Sequence, residues 1–436
     1  MAGKTSGKAS GRRAVIVGGL RTPFAKAFTD LMELDTIALG VAATEALLRK
    51  LELPRDQIDS IVWGGVVLPP LSVNIGREIA LDLKLPASVE GMTVTRACAS
   101  GLQAITCAAS AIERGDADVI IAGGSDSTSN APIAFPNKLT RTLAPIALSG
   151  KATAADIFGA LAQLMPLSEV LPRQPRIAER TTGEVMGESA ERMAQRNEIT
   201  RVAQDELALR SHQRAAKAIA TGRFDDEVTK VQTPKGFVHT DQLVRADTSA
   251  DKLGKLKPVF SKTGTVTAGN ASPLTDGAAA VVLMSEEKAR ALGYKPLAAL
   301  RSWSYVGVDP ADQLLIGPAI AVPKALDRAG LTLADIDVVD MHEAFAAQVL
   351  SVLKMLGSQA FAQERLGRSA AVGNIDPGKL NIYGGSIAIG HPFAATGARM
   401  VTTMSNELAR TNKKFALLAI CAAGGLGAAA ILERID

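Results

Sequence analysis

Residues 90–114 read EGMTVTRACASGLQAITCAASAIER, and an extended stretch here passes directly into an amphipathic helix. Apolar residues recur at helical spacing between Leu102 and Ile112, and Gly115 follows where a helix would end. Cys98 stands at the junction of the two elements. Because free backbone N–H groups and the helix dipole favour a thiolate at a helix N-terminus, Cys98 is a candidate nucleophile. A small buried packing residue is the alternative interpretation.

Strands and helices alternate around this segment. Ahead of it, the pattern predicts strands at residues 14–18 and 61–68 and a helix over residues 34–50. Behind it, buried strands are predicted at residues 119–122 and 278–284. This alternation predicts an α/β fold with a parallel sheet that is covered by helices on both faces.

The same alternation returns in the last third of the chain. It predicts a strand at residues 336–341, helices over 342–356 and 398–409, and final strands at 415–420 and 428–432. Glycines interrupt the uncharged run that contains the last two strands, which favours a buried strand pair over a membrane-spanning helix. In both the first and the last third of the chain, a turn of small residues precedes a helix, and the helix is followed by a strand that ends near Gly-Gly. This shared order indicates an internal duplication.

The middle of the chain differs from both of these parts. Residues 126–250 are charged and carry few strand signals, and residues 188–219 place Arg, Glu and Gln at helical spacing. An inserted, mainly helical region is therefore predicted between the two α/β parts.

The composition argues against several classes of function. The net charge is +4, from 48 basic and 44 acidic residues, and no basic stripe with interleaved aromatic residues suggests nucleic-acid binding. The three cysteines are too few for a disulfide framework and fit a reducing compartment. Because the basic residues near the N-terminus precede no apolar run, no secretory signal is expected, and we expect a cytoplasmic protein.

Three further segments place reactive residue types in glycine-rich or strand-end settings. Cys421 precedes the AAGGLG loop of residues 422–427, whose backbone N–H groups can approach an oxyanion. His391 lies in the GGSIAIGHP turn of residues 384–392, where a histidine can deprotonate a thiol. His342 stands at a strand end, a position that ligand sites favour in α/β sheets. A tight turn, a packing residue and a helix cap are the respective alternatives.

The remaining cysteine and histidines are interpreted as structural. Cys107 is expected to pack inside the helix that follows Cys98, and His212 and His239 are expected at the surface because their surroundings are charged. No cysteine or histidine spacing resembles a zinc site, and no P-loop or dinucleotide-binding glycine fingerprint is present.

Together these segments resemble the thiolase family, and the resemblance extends from Arg21-Thr22-Pro23-Phe24 to the last strand. Its most specific pieces are the segment around Cys98, GNAS at 269–272, HEAF at 342–345, GHP at 390–392 and CAAGG at 421–425. The resemblance implies the thiolase fold, an α/β fold of two similar halves with mixed sheets covered by helices. The implied division is a flexible basic tail over 1–13, a first half over 14–125 and 251–285, an inserted loop domain over 126–250, and a second half over 286–436.

The resemblance also implies roles for the reactive residues. Cys98 would be the acylated nucleophile, and His391 would activate it. Cys421 would protonate the leaving acetyl-CoA enolate and later deprotonate the CoA thiol. His342 would position a water that forms one oxyanion hole with His391, and the backbone N–H groups of Cys98 and Ala423 would form the other.

The activity implied by the resemblance is thiolytic cleavage of 3-ketoacyl-CoA by CoA through an acyl-enzyme. CoA and acyl-CoA would be substrates, and no metal or organic cofactor is implied. Met186 and Ser272 match family positions near the pantetheine arm of CoA. A homodimer is expected by the same resemblance.

Two features of this sequence differ from most thiolases and resemble one subgroup of the family. Most thiolases have asparagine where this chain has His342, and histidine there resembles the thiolase subunit of trifunctional fatty-acid β-oxidation complexes. That subgroup also has a longer loop insertion, which residues 137–180 resemble. An apolar face in this insertion is expected to dock on a membrane surface or on a hydratase/dehydrogenase α subunit, with packing on its own domain as the alternative. The face consists of Ile157, Phe158, Leu161, Leu164 and Met165.

Three other functions compete with this prediction. A short-chain acetyl-CoA acetyltransferase that makes acetoacetyl-CoA would use the same residues. A carrier-protein condensing enzyme has a similar fold, but Cys421 in its glycine loop argues against that class. A non-catalytic, thiolase-like lipid carrier would be expected to lose a reactive residue, and this chain keeps all four.

Overall fold

The computed structural model describes residues 11–172 and 178–435. Two compact units can be distinguished among them. The larger unit takes in the described residues up to Asn130 and from Ala178 onwards, and the smaller unit begins at Ala131.

The larger unit is built on a mixed sheet, in which ten strands are found among the described residues, and on a separate hairpin of β6 and β7. In chain order the strands are β1 (Ala14–Arg21), β2 (Ala25–Lys26), β3 (Ser60–Gly64), β4 (Glu90–Val94), β5 (Val119–Ser127), β6 (Val231–Thr233), β7 (Gly236–Val238), β8 (Thr275–Ser285), β9 (Ala298–Gly307), β10 (Val338–Met341), β11 (Phe415–Ala422) and β12 (Leu426–Arg434).

Helices of both units connect these strands. In chain order they are α1 (Thr36–Leu51), α2 (Ile75–Asp82), α3 (Ser100–Arg114), α4 (Asn137–Ser149), α5 (Ala154–Gln163), α6 (Met186–Arg196), α7 (Arg201–Ala220), α8 (Ala250–Gly254), α9 (Glu286–Ala291), α10 (Pro310–Gln313), α11 (Gly317–Ala329), α12 (Ala346–Leu356), α13 (Gln359–Leu366), α14 (Ser386–Ile389) and α15 (Ala395–Thr411). Short 3₁₀ turns lie at Arg55–Gln57, Leu167–Glu169 and Leu333–Asp335.

The strand order repeats on the two sides of the central β9–β1 pair. The order is β10-β11-β12-β9-β1-β8-β5-β3-β4, with β2 beside β8. Moving outward from the centre, each side shows two antiparallel pairs and then a parallel pair: β9–β12, β12–β11 and β11–β10 on one side, β1–β8, β8–β5 and β5–β3 on the other. This repetition supports the internal duplication inferred from the sequence.

The expectation of a parallel sheet, drawn from the strand–helix alternation, is wrong. The central strands β1, β8, β9 and β12 pair antiparallel with their neighbours, and only the outer pairs are parallel. Alternation identifies strands but not their direction, because β8 enters the sheet after a long excursion of the chain and runs against both β1 and β5. The mixed sheet implied by the resemblance is the observed arrangement.

The core lies on both faces of this sheet. One face packs on α3 and α15, and the opposite face packs on α1 and α2 in the first half and on α11 and α12 in the second. Alanine, valine and leucine dominate these clusters, as expected for strands buried on both faces. The uncharged run near the C-terminus forms β11 and β12, and among the described residues no helix is long and apolar enough to cross a membrane.

A close contact between α3 and α15 joins the two halves. A Cβ atom added to Gly101 would lie 2.2 Å from the carbonyl oxygen of Ala394, and one added to Gly397 would lie 2.5 Å from the backbone nitrogen of Leu102. Backbone atoms cannot move aside as a flexible side chain would, so both positions require glycine. The contact sets the starts of α3 and α15 side by side, and each helix follows a segment with a reactive residue.

We expect Gly101→Ala to destabilise the protein by about 1–3 kcal/mol, because the added methyl group forces α3 and α15 apart. The midpoint of urea unfolding measures this change. Gly254→Ala is the matched control, since an added Cβ there meets nothing within 4 Å. It should change stability by less than about 1 kcal/mol. Equal midpoints for the two variants would contradict the packing argument.

One predicted helix begins later than expected. The prediction placed a helix over residues 342–356, but α12 begins at Ala346. The preceding residues are held by a distant segment: the N–H of Ala346 donates to the carbonyl of Asn270, and the N–H of Ser272 donates to the carbonyl of Ala344, both over 2.9 Å. This tertiary pairing keeps His342 out of the helix.

The smaller unit contains α4 and α5. Thr153 caps α5 in a reciprocal pairing with Asp156. Of the apolar face predicted in the insertion, Leu164 is buried, whereas Phe158 is 75% exposed and Ile157, Leu161 and Met165 are also exposed. The predicted face is therefore mostly open at the surface. The part of the insertion at residues 173–177 lies outside the described residues.

Candidate active site

A strained turn presents Cys98 between β4 and α3. Ala97 has φ of 45°, a left-handed conformation that costs a residue with a side chain about 1 kcal/mol or more. Ser100 stabilises the turn: its hydroxyl accepts from the N–H of Arg96 and donates to the carbonyl of Ala97, both over 2.7 Å. The turn therefore fixes Cys98 ahead of the first helical residue, as the sequence predicted.

Two buried histidines come from the second half of the chain. His342 directly follows β10, and its N–H donates to the carbonyl of Ala419 over 2.8 Å. His391 follows α14, and its N–H donates to the hydroxyl of Thr275 over 3.1 Å. The centroids of the two rings are 4.0 Å apart.

Each histidine contacts a hydroxyl through Nδ1. Nδ1 of His342 lies 2.8 Å from Oγ of Ser386, and Nδ1 of His391 lies 2.6 Å from Oγ1 of Thr396. Both Nε2 atoms are buried and make no hydrogen bond with a described residue. The hydroxyls orient the rings and leave the two Nε2 atoms free for other partners.

These residues converge with Cys98. The Cys98 sulfur and ring nitrogens of His342 and His391 all lie within 4.8 Å of one another, although the three residues are far apart in the sequence. The close packing of α3 on α15 makes this possible, since Cys98 precedes one helix and His391 the other.

Burial keeps the resting site uncharged. Desolvation raises the pKa of Cys98 to about 12, although the backbone N–H groups of Ala423 and of Cys98 itself act in the opposite direction. Desolvation, with the nearby charge of Arg399, lowers the pKa of His391 to about 3, and burial lowers the pKa of His342 as well. A preformed thiolate at the helix N-terminus was expected, but desolvation outweighs the helix dipole here. The resting pair is a thiol and a neutral imidazole.

Cys421 is the second thiol of the site. It lies at the end of β11 and is buried, and it is near enough to Cys98 for the two groups to repel each other as thiolates. Burial and the nearness of Cys98 raise its pKa well above the ordinary value. The following turn has positive φ at Gly424 and Gly425, and it aims the N–H of Ala423 at the Cys98 sulfur. The glycine-rich loop that was predicted to present backbone donors therefore places one of them, the N–H of Ala423, beside Cys98.

Sequence reasoning missed the buried acid that supports the two histidine segments. Glu343 accepts from the hydroxyl of Ser211 over 2.7 Å, from the side chain of Asn381 over 2.6 Å and from the N–H of Ile387 over 3.3 Å. Burial raises its pKa. Glu343 directly follows His342 at the end of an apolar strand, and this position is the signal in the sequence from which it could have been predicted.

A second missed acid links the half of the chain that contains Cys98 to the His391 segment. Asp126, at the end of β5, accepts from the N–H groups of Val66, Val67 and Ala394 over 2.6–2.9 Å. Burial raises its pKa to about 7. Because Ala394 stands three residues after His391, Asp126 holds that turn against the first half.

The two predicted CoA-contacting residues lie on different segments. Ser272 is on the stretch that bridges to both HEAF and GHP, through the pairs Ala271–Phe345 and Leu274–His391. Met186 is the first residue of α6, is half-buried, and packs against the core cluster that contains Cys421.

The structural residues were predicted with one error. Cys107 packs against the core from within α3, and His239 is exposed, as expected. His212, expected at the surface, is only 2% exposed. It lies on the buried face of α7, which is largely polar, and its Nδ1 accepts from the N–H of Arg245 over 3.1 Å.

Comparison with known proteins gives a consistent result. The model of the thiolase N-terminal domain matches residues 14–287, and that of the thiolase C-terminal domain matches residues 294–434. The chain is 47% identical over 426 residues to 3-ketoacyl-CoA thiolases of Pseudoalteromonas translucida and of Yersinia pestis, covering 97% of each chain.

Solved structures show the same similarity. A Bacillus anthracis acetyl-CoA acetyltransferase is 33% identical with a TM-score of 0.83, over 98% of this chain and 99% of that one. Human mitochondrial 3-ketoacyl-CoA thiolase in complex with CoA is 30% identical with a TM-score of 0.82, over 97% and 98% of the two chains.

The fold and this arrangement of thiols and histidines define an acyl-transfer enzyme of the cysteine-dependent α/β class. Within that class, the chain belongs to the thiolase family. The family predicted from the sequence motifs is confirmed.

Proposed function

We propose that this enzyme catalyses thiolytic cleavage of 3-ketoacyl-CoA by CoA in fatty-acid β-oxidation, yielding acetyl-CoA and an acyl-CoA shortened by the acetyl unit. The observation that carries the proposal is the convergence of the partly buried Cys98 with the buried His342 and His391, beside Cys421. The identity of 47% to curated 3-ketoacyl-CoA thiolases supports the same reaction.

The first half-reaction cleaves a carbon–carbon bond. Nε2 of His391 takes the proton of Cys98, and the thiolate attacks the 3-keto carbon to give a tetrahedral alkoxide. The alkoxide collapses, the bond between C2 and C3 breaks, and the electron pair passes into the enolate of acetyl-CoA. The Cys421 thiol protonates C2 of this enolate, and the shortened acyl group stays on Cys98.

Two oxyanions arise in this step and need separate donors. We assign His391, protonated after the first transfer, and a water held by His342 to one oxyanion hole. We assign the backbone N–H groups of Cys98 and Ala423 to the other. The nearness of both N–H groups to the Cys98 sulfur supports the second assignment.

The second half-reaction restores the enzyme. The Cys421 thiolate takes the proton of an incoming CoA, and the CoA thiolate attacks the acyl-Cys98 thioester. The new tetrahedral species collapses to acyl-CoA, and Cys98 recovers its proton from His391. CoA and acyl-CoA are therefore substrates, and the proton transfers use the side chains of His391 and Cys421.

The alternatives are less well supported. A short-chain acetyl-CoA acetyltransferase would use the same site, but the relatives that are 47% identical to this chain are 3-ketoacyl-CoA thiolases. A carrier-protein condensing enzyme does not account for Cys421, and a lipid carrier does not account for four reactive side chains in one site.

Thiolysis assays of the purified full-length protein test the proposed substrate. We expect the enzyme to cleave 3-ketohexadecanoyl-CoA in the presence of free CoA. The decrease in absorbance of the 3-ketoacyl thioester measures this cleavage. Activity on acetoacetyl-CoA alone would instead assign the enzyme to short-chain metabolism.

Several features of the enzyme are part of this proposal. We assign residues 14–125 and 251–285 to the first half, 126–250 to the inserted domain and 286–436 to the second half. We further propose that Met186 and Ser272 contact the pantetheine arm of CoA and that the enzyme is a cytoplasmic homodimer. Three free cysteines fit a reducing compartment. Sedimentation equilibrium tests the dimer.

We propose that the apolar face of the smaller unit docks on a membrane surface. Ile157, Phe158 and Leu161 follow one another at helical spacing on α5 and are each about half exposed or more. An exposed helix face of phenylalanine and leucine can be buried at the lipid headgroup boundary, where apolar side chains leave water. A hydratase/dehydrogenase subunit is the competing partner for this face.

Vesicle sedimentation tests the membrane proposal. We expect Phe158→Ser to weaken binding to phosphatidylglycerol-containing vesicles by roughly tenfold, because it removes a large apolar side chain from the lipid boundary. Val202→Ser, which removes an exposed apolar side chain from α7, is the matched control and should bind as the unaltered protein does. If Phe158→Ser bound the vesicles as tightly as the unaltered protein does, the membrane proposal would be wrong.

A further inference from the structure

The convergence of Cys98, His342 and His391 has a second chemical property. Their ligand atoms, one sulfur and two imidazole nitrogens, lie within 4.8 Å of one another. Thiolate and imidazole are the ligands that Zn²⁺ favours, and catalytic zinc sites use three such ligands with an open fourth position. The sequence showed no zinc spacing because the three residues come from separate segments.

The surroundings of the histidines support a metal site independently. Both Nε2 atoms are buried, and no hydrogen bond to either is found among the described residues. Each opposite nitrogen faces a hydroxyl, of Ser386 for His342 and of Thr396 for His391. A metal-binding histidine commonly has such a partner on its other nitrogen, which orients the ring and turns the free lone pair towards the metal.

We propose that Cys98, His342 and His391 bind Zn²⁺ at a tetrahedral site with an open fourth position, and that bound zinc reversibly blocks acyl transfer. The block is direct, since the metal would hold both the nucleophilic sulfur and the lone pair that activates it. An acyl group on Cys98 would in turn remove one ligand, so substrate and zinc exclude each other.

The donor set selects the cation. Mg²⁺ and Ca²⁺ require oxygen ligands, and none of the three side chains offers one. Tetrahedral zinc has bonds of about 2.0–2.3 Å to nitrogen and sulfur, so the three ligand atoms would close in around the metal as it binds. His342 is the decisive ligand, because the asparagine found in most thiolases would offer only an amide.

Metal binding can be measured without turnover, so the result does not depend on the proposed function. The full-length protein, reduced and free of CoA, is titrated with Zn²⁺ in competition with a chromogenic chelator. We expect one site per chain, and we expect His342→Asn and Cys98→Ala to bind roughly 100-fold more weakly or worse. His239→Asn and Cys107→Ala are the matched controls and should keep the affinity of the unaltered protein.

Cobalt and alkylation locate the metal. Co²⁺ should give a thiolate-to-cobalt charge-transfer band that is lost in Cys98→Ala but kept in Cys107→Ala. Zn²⁺ should also slow the alkylation of Cys98 by iodoacetamide at least tenfold, and EDTA should restore the rate. Absence of binding, or equal affinity in the unaltered protein and in both ligand variants, would overturn the proposal. Circular dichroism of each variant distinguishes a lost ligand from a lost fold.

Discussion

Cys98→Ala should lower kcat for thiolysis of 3-ketohexadecanoyl-CoA by roughly 10,000-fold or more, because the acyl-enzyme cannot form without the thiol. No neighbouring group can replace it, because Cys421 is buried at the end of β11 and burial alone raises its pKa above the ordinary value. The remaining side chains keep their hydrogen bonds, so substrate binding should change little. Steady-state thiolysis measures kcat, and isothermal titration with CoA measures binding.

Cys107→Ala is the matched control for this result. Cys107 lies on the same helix, is also a free thiol, and packs against the core instead of facing the histidines. It should retain kcat within about threefold, since only a small packing contact is lost. A Cys98→Ala enzyme that still cleaves substrate at a comparable rate would refute the acyl-enzyme mechanism.

His391→Ala should lower kcat by about 100- to 10,000-fold, the usual contribution of a general base. It should also change how the reactivity of Cys98 depends on pH. Under the proposed mechanism, the proton of Cys98 passes to His391 in the unaltered enzyme and stays in the site. The fraction of thiolate–imidazolium pair is therefore independent of pH between the pKa of about 3 for His391 and that of about 12 for Cys98.

The variant loses this internal acceptor, so its thiolate forms only by releasing a proton to solvent. Below a thiol pKa of about 12, the thiolate fraction rises with pH. We expect a flat alkylation rate for the unaltered enzyme between about pH 6 and pH 9 and, in His391→Ala, a rate that rises about tenfold per pH unit. Mass spectrometry of iodoacetamide-treated protein measures both rates at Cys98. Parallel profiles for the two proteins would remove His391 from the role of base.

The sequence predicted the elements around Cys98 well because the signals there are local. The change from extended to helical periodicity and the glycine at residue 115 mark α3 almost residue by residue. The direction of the strands was not predictable in the same way. Strand β8 lies between β1 and β5 through contacts with residues more than a hundred positions away, and hydrophobic periodicity contains no such information.

The sequence predicted four reactive side chains, and the structure places Cys98, His342, His391 and Cys421 near one another, but the residues that support them were not predicted. Ser386 and Thr396 resemble any other buried hydroxyls in the sequence, and only the fold brings Ser386 to a histidine 44 residues away. Desolvation was missed for the same reason. The helix start at Cys98 suggested a thiolate, whereas desolvation, which depends on residues brought together by the fold, keeps the thiol protonated.

His212 shows a different limit of sequence reasoning. The buried face of α7 includes Gln204, Asp205 and Ser211 beside His212, so polarity there does not indicate exposure. Ser211 donates to Glu343 and accepts from the N–H of Gly385, which shows that this polar face supports the HEAF and glycine-turn segments. A helix that serves a buried polar network looks like a surface helix in the sequence.

The repeated strand order has an evolutionary consequence. If the two halves descend from one ancestor, α3 and α15 were once the same helix, and they met across the twofold axis of a homodimer. The residues just ahead of them, Cys98 and His391, then occupied corresponding places in two identical copies. Fusion of the copies into one chain would have freed each place to specialise, one retaining a nucleophile and the other a base. The asymmetry that catalysis requires would thus have been gained by divergence within a symmetric frame.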